Sequence, residues 1–240
     1  MNLTDHPTAW DHPPTRRAWF QHMAMNAVGL VGWIGGWIAL LGISTNTPDW
    51  VVWIFMPYFL YAPHRVYLQL KGYFPAAVRM QRVLSQYPWQ VLADVPRGLG
   101  KHPEAPEDGM WFELLNPESP AEKIPLVFLA HGRQHWWMRR IGGPRTDPRL
   151  KAEIEPIWFA GDPRFLAVVA APGRNAKAPK RLHLLYQRTA FNRRTDNAGW
   201  DASPAALERA RRAGARLPDP VPHPRDARHR DNEQADQSKT

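Results

Sequence analysis

The chain predicts a transmembrane α-helical hairpin followed by a small all-β domain, an antiparallel barrel or sandwich, between disordered ends. Three observations carry that expectation. Residues 24–43, AMNAVGLVGWIGGWIALLGI, hold no charged side chain; a second apolar run, WVVWIFMPYFLYAP, begins at Trp50 after a short polar gap; and from Tyr87 to Gln187 short aromatic-rich runs alternate with Pro, Gly and charge clusters. Mean hydropathy over the whole chain is only −0.49, so the apolar content is concentrated in one block.

Residues 1–22 are read as a cytoplasmic segment. Thr15-Arg16-Arg17-Ala18-Trp19-Phe20 has the look of a twin-arginine export signal. The apolar run that follows is longer than the usual 7–15 or so residues of a signal core, and Ser44-Thr45-Asn46-Thr47-Pro48 offers no A-x-A cleavage site, so a retained span is favoured. A helix rises about 1.5 Å per residue, and roughly 20 residues cross a hydrocarbon core about 30 Å thick, which residues 24–43 satisfy. Gly32 and Gly36 form a GxxxG spacing that lets a neighbouring helix approach closely.

The hairpin occupies 23–70, with spans at 24–43 and 50–67. The second reaches crossing length only if Arg65 snorkels to the headgroups, with Pro57 as a kink and Trp50, Trp53, Tyr58, Tyr61 and Tyr67 in interfacial belts; a re-entrant segment is the alternative. Arg16 and Arg17 precede the first span and Arg65, Lys71, Arg79 and Arg82 follow the second, whereas the connector STNTPDW has no basic residue. The positive-inside rule then places both termini in the cytoplasm and the chain in the cell (inner) membrane as a multi-pass protein. Residues 75–86 predict a juxtamembrane helix whose Arg79 and Arg82 meet anionic headgroups, or which packs on the domain behind it.

Residues 87–190 form the β-rich domain. Six strand-like runs are WQVLADV, GMWFELL, IPLVFLAHG, PIWFAG, RFLAVVAA and RLHLLYQ, while PRGLGKHPEAPEDG reads as a loop and PRTDPRLKAEIE as a loop or a helical turn. The sharpest local signal is PIWFAGDPRFLAVVAAPG, where Gly161-Asp162-Pro163-Arg164 supplies turn chemistry between two β-prone runs. In Gln134-His135-Trp136-Trp137-Met138-Arg139-Arg140 an alternating strand is favoured. Trp136, Trp137, Arg139 and Arg140 are nonetheless candidates for lipid or partner contact. Residues 191–240 read as a basic, largely disordered tail with a helix over 203–215, capped by Ser203 with Pro204 at its first position.

With Tyr87-Pro88-Trp89-Gln90 and Trp158-Phe159-Ala160-Gly161-Asp162-Pro163-Arg164-Phe165 behind two apolar spans, residues 24–187 resemble uncharacterised two-span bacterial membrane proteins from high-GC genomes. That resemblance implies the layout and carries no activity, cofactor or site.

Charge bounds the partners. The formal net charge is +9 and the pI about 10.2, and the stretch from Gly173 onward holds 15 basic against 8 acidic residues. Such a balance suits anionic lipid, nucleic acid or an acidic protein face. Arg193, Arg194, Arg209, Arg211, Arg212 and Arg216 could neutralise phosphates, but only Phe191 and Trp200 could stack on bases, so nucleic acid is disfavoured. The lipid bilayer is the expected partner, with a membrane protein or a second copy beside it.

Catalytic signals are thin. There is no Cys, and no G-x-S-x-G, Walker A or G-x-G-x-x-G run. His131 and His135 are four apart, as in H-E-x-x-H zinc sites, but Gly132 stands where the Glu belongs, so no metal or other cofactor is expected. Asp162 with Arg164 could be a carboxylate held by a guanidinium, or simply turn composition. The expected function is a membrane-anchored binding, adaptor or assembly module. The alternative is a membrane-associated enzyme in which His131, His135 and Asp162 converge in one cleft.

Overall fold

The computed structural model describes residues 6–100, 109–128, 134–142, 146–173, 178–187 and 202–217. A 3-10 turn, Ala9–Asp11, leads into α1, Pro13–Ser44, whose opening prolines cost no hydrogen bond because first-turn amides have no intrahelical acceptor. After a four-residue connector α2, Asp49–Leu68, returns antiparallel along it, and a π-helical turn, Gln69–Tyr73, passes the chain into α3, Phe74–Leu84. Pro57 and Pro63 lie inside α2.

Among the described residues one helix, α1, is long and apolar enough to cross a membrane, and none of its most apolar 18-residue window is buried. Of the two expected spans α1 alone meets that standard; the aromatic, proline, His64 and Arg65 content of α2 keeps it below. Nor is the segment before the apolar run separate from the fold. Trp19 of α1 is buried and its Nε1 donates to Ala77 O (2.8 Å), Trp89 Nε1 donates to the buried Thr15 Oγ1 (2.8 Å), and the Ala9 amide donates to Tyr87 O (2.8 Å).

Seven strands, β1 (Gln90–Leu92), β2 (Arg97–Gly100), β3 (Gly109–Leu115), β4 (Lys123–Phe128), β5 (Ile157–Gly161), β6 (Leu166–Pro172) and β7 (Pro179–Tyr186), form one antiparallel sheet in the order β1-β5-β6-β7-β4-β3-β2. Its two edge strands, β1 and β2, are joined by only residues 93–96. Five steps of about 3.5 Å reach roughly 18 Å, whereas seven flat strands about 4.8 Å apart span roughly 29 Å. The sheet therefore curls until its edges approach.

Alternation along β5 and β6 separates two cores. Trp158, Ala160, Leu166, Val168 and Ala170 pack with Trp19, with Met80, Val83 and Leu84 of α3, and with Ala210 of a C-terminal helix. Ile157, Phe159, Ala167, Val169 and Ala171 face inward against Phe112, Leu126, Ile154 and the helix α4, Gln134–Ile141. A short helix, α5 (Pro148–Ala152), is capped by Asp147, whose side chain accepts from the Arg149 amide. The last helix, α6 (Pro204–Arg212), has Ser203 as its N-cap, with Oγ accepting from the Ala206 amide at 3.3 Å.

Three readings change and one alternative is decided. Gln134–Ile141 is a helix, not a strand: Trp137 and Ile141, four apart, are both buried. Arg97–Gly100, assigned to a loop, pairs with β3, and Gly98 leaves the space that Trp111 fills, since a Cβ there would sit 2.3 Å from the indole. Of the two readings of residues 75–86 the packed one holds, since helix α3 turns its apolar face to the sheet. Helix α6 belongs to the core together with Ala213 and Ala215 behind it, while residues 191–201 and 218–240 of the predicted tail lie outside the described residues. The β5–β6 hairpin forms as its turn chemistry predicts, with Trp158 opposite Ala170 and Gly161 opposite Ala167.

Candidate functional site

Curling opens a cleft of about 600 Å³ between β1, the 93–96 linker, and the ends of β3 and β5. Buried Val95, Leu114 and Phe159 give it apolar lining, while Gln90, Asp94, Glu113 and Lys123 supply polar groups. Lys123 Nζ stands 3.8 Å from Glu113 Oε2, a solvent-screened pair. Pro96, Pro117, Pro120 and Pro163 stiffen the surround, so the opening is preformed in rigid chain.

One wall of this cleft is the β5–β6 turn, where Asp162 sits. Gly161 there has φ +147°, and a Cβ on it would lie 2.4 Å from the Ala167 Cα, so no other residue fits. The Asp162 carboxylate accepts from the Arg164 amide (3.0 Å), Nε (3.0 Å) and Nη2 (2.8 Å), and both residues are buried. Arg164 Nη1 also pairs with Glu118 Oε2 at 3.2 Å, and the other Glu118 oxygen accepts from the Ser203 amide at 3.0 Å. The network ties the turn, the β3–β4 loop and the start of α6 together.

Electrostatics follow from those contacts. Burial alone would lower the Arg164 pKa, but its hydrogen bonds and charge pairing with Asp162, then with Glu118, raise it above the usual value. The Ser203 amide first, and the Arg164 bond second, hold Glu118 below the usual carboxylate range. Tyr87 is pushed well above the ordinary phenol value, first by burial and then by the Asp162 charge, so it stays protonated.

The three candidate catalytic residues are placed as follows. Asp162 is engaged on both oxygens by Arg164, His135 is exposed on α4, and His131 lies outside the described residues. No contact joins His135 to Asp162 among the described residues. Of the candidate contact residues, Trp137 is corrected outright: its ring is 1% exposed and packs edge-on against Phe112 and His183, so core packing claims it. Trp136 is half-buried and stacked under Arg140, 4.0 Å from ring centroid to guanidinium carbon. Arg140 is paired with Glu153, Arg139 is exposed, and Arg82 is exposed on α3. Arg79 is half-buried, its pKa lowered by burial and then by the neighbouring charges of Arg216 and Arg82.

The helix pair contains a feature that the GxxxG reading misses. Residues 15, 19, 22, 26, 29, 33 and 36 repeat at steps of four and three, the spacing of a coiled-coil seam. Thr15, Trp19, His22 and Asn26 are the buried residues of α1. Gly29 and Gly36 continue the stripe against α2 and the π turn: a Cβ at Gly29 would meet Gln69 Nε2 at 2.7 Å, and one at Gly36 would meet the Tyr58 hydroxyl at 2.4 Å. Gly32, by contrast, has nothing within 4 Å. The packing pair is therefore Gly29 and Gly36.

Between them Trp33 stacks on Tyr58, whose hydroxyl donates to Trp33 O at 3.2 Å. The Arg65 guanidinium carbon lies 5.6–5.9 Å from the rings of Trp33, Tyr61 and Tyr73. Towards the domain the seam turns polar, with His22, Asn26 and Gln69 all buried. A π turn at Gln69–Tyr73 lets the chain pass from this seam into α3 without a break.

No group of three or more His, Asp or Glu side chains that could hold a metal ion occurs among the described residues. Comparison with family models, with curated proteins and with solved structures gives no match, so the geometry above is what bears on function.

Proposed function

We propose that the protein is a membrane-anchored binding module, in which a retained helical hairpin holds a β domain at the cytoplasmic face of the inner membrane. One observation carries the reading. The most apolar window of α1 is wholly unburied, yet the first turns of the same helix are built into the domain core through Thr15 and Trp19. A soluble core helix buries its apolar side chains, whereas Val28, Val31, Ile38, Trp53, Ile54 and Leu60 stand more than half exposed, which suits lipid as their solvent. A cleaved signal would take core residues with it.

If α1 crosses, α2 enters with it, because Trp33, Gly36 and Trp37 hold α2 antiparallel along the apolar length. Both ends of the hairpin then return to one side, and the basic residues at its base, Arg16, Arg17, Lys71 and Arg82, favour the cytoplasm. The cleft at the sheet edges is the binding surface this anchor would present. The test is alkaline extraction of membranes followed by intact-mass measurement, with a reporter fused at the carboxyl end. The expected result is an uncleaved, extraction-resistant chain with a cytoplasmic reporter; release into the supernatant, or a mass lacking residues up to 44, overturns it.

A further inference from the structure

A second cleft, of about 640 Å³, lies between α4, the chain before β5, and the β6–β7 hairpin. Four charged residues line it, and their pairing is unequal. Glu153 is taken by Arg140, whose Nε (2.8 Å) and Nη2 (2.5 Å) both reach the same oxygen, and Glu155 is taken by Arg97 at 2.6 Å. Among the described residues Lys180 and Arg181 have no carboxylate partner. The acids are neutralised from outside the cleft while the two cations inside it are not.

The backbone brings those cations together. Consecutive residues of a regular strand point to opposite faces. Here Val169 pairs with His183 and Ala171 with Lys180, so β7 carries one residue more than β6 across the same interval. This bulge holds Arg181 at φ +56°, a left-handed conformation unfavourable for an L residue other than glycine, and leaves Lys180 and Arg181 both exposed on the same cleft. Trp136 completes the arrangement. Its ring lies 5.5 Å from the Arg181 guanidinium carbon, and a guanidinium stacked on a ring keeps its in-plane N–H donors available.

We propose that this cleft binds a phosphorylated molecule through its phosphate, with Lys180 and Arg181 on the phosphate oxygens and, where the ligand is an ester, Trp136, Pro156 and Pro172 against its remainder. Phosphate oxygens match the guanidinium fork and a second adjacent cation, and the cleft has room for more than the anion alone. The phosphate can belong to a lipid headgroup or to a soluble phosphorylated molecule. The site does not depend on the anchor, since none of its residues lies in the helix pair.

Binding is measured calorimetrically on the full chain in non-ionic detergent, with sodium pyrophosphate as the soluble probe and dihexanoyl phosphatidic acid as the lipid probe. Saturable binding of either supports the site, and which one binds identifies the source. R181G is the decisive variant, because glycine accepts the left-handed backbone and the fold is kept while the guanidinium is removed. It and K180Q are each expected to weaken binding at least tenfold, whereas R149Q, on the exposed surface of α5, leaves it unchanged. Absence of saturable binding at millimolar probe, or equal binding by R181G, K180Q and the parent chain, overturns the proposal. Either result leaves the membrane-anchor reading to its own extraction test.

Discussion

Glu118 is an exposed carboxylate that joins three parts of the domain, since it accepts from the Ser203 amide at the start of α6 and pairs with Arg164 of the β5–β6 turn. Its folded pKa lies below that of an unfolded glutamate, chiefly through the Ser203 amide. The unfolded chain therefore binds the proton more tightly, and the link's contribution is whole above the ordinary glutamate value, about 4.3, and is lost as pH falls through the lower folded value. We expect the first turn of α6 to exchange its amide hydrogens more slowly in the parent than in an E118Q variant at pH 5, and that advantage to shrink as pH falls below the ordinary glutamate value. Put as a measured ratio, parent protection exceeds E118Q protection at pH 5 and the ratio falls towards one as the carboxylate is protonated; a ratio constant across the acid range would show that the carboxylate carries none of the docking. Asp162 was visible in the sequence as a turn residue, and the turn is what the structure displays. Its burial with Arg164 and the reach to Glu118, 44 positions away, could not be read from local composition, because the partner comes from a different loop.

At the scale of the element, the hairpin seam separates two glycines that the GxxxG spacing treats alike. Gly36 backs directly onto Tyr58, and Gly32 faces open space. Gly36→Val must displace the Tyr58 ring or spread the helices, and overpacking of that kind costs about 1–3 kcal/mol. Gly32→Val adds only surface. The expected result is a melting temperature lowered by several degrees for the first variant and nearly unchanged for the second, in the same detergent; equal shifts would remove Gly36 from the interface. The 4-3 repeat from Thr15 to Gly36 was present in the sequence, but a search for apolar periodicity passes over it, because in this helix the inward stripe is small and polar and the outward face is apolar. A similar inversion hid α4: the adjacent Trp136 and Trp137 suggest alternation, whereas the pairs Trp137 with Ile141 and Trp136 with Arg140 are each four apart on a helix. Strand β2 was hidden for another reason, since Gly98 is there to admit Trp111 and its pairing to β3 is set by the partner strand. The β5–β6 hairpin was legible because its signal is local.

For the whole molecule, the consequential feature is that one unbroken helix, α1, is built into the domain core by its first turns and unburied along its apolar window. Its 32 residues are about 48 Å long at 1.5 Å per residue, enough to fill a place in the domain core and still extend across a hydrocarbon layer. The β domain is therefore incomplete without the residues that precede the apolar window of α1: Trp89 Nε1 needs Thr15, Ala77 O needs Trp19, and Met80 and Leu84 share a core with that indole. A fragment beginning at Phe74 and ending at Leu217 lacks Thr15 and Trp19 and leaves the outer face of the sheet uncovered where α1 lay. Loss of a buried Trp alone costs about 3–5 kcal/mol, a large share of the roughly 5–15 kcal/mol by which domains are stable. That fragment is expected to bind a hydrophobic dye and to melt without a cooperative transition, whereas a chain keeping residues 6–23 and the seam residues Asn26, Gly29, Trp33 and Gly36, with other apolar residues at the outward positions of 24–44, retains the transition of the parent. If instead the Phe74–Leu217 fragment melts as cooperatively as the full chain, the first turns of α1 are an accessory to the domain, and the retention of the anchor loses its physical reason.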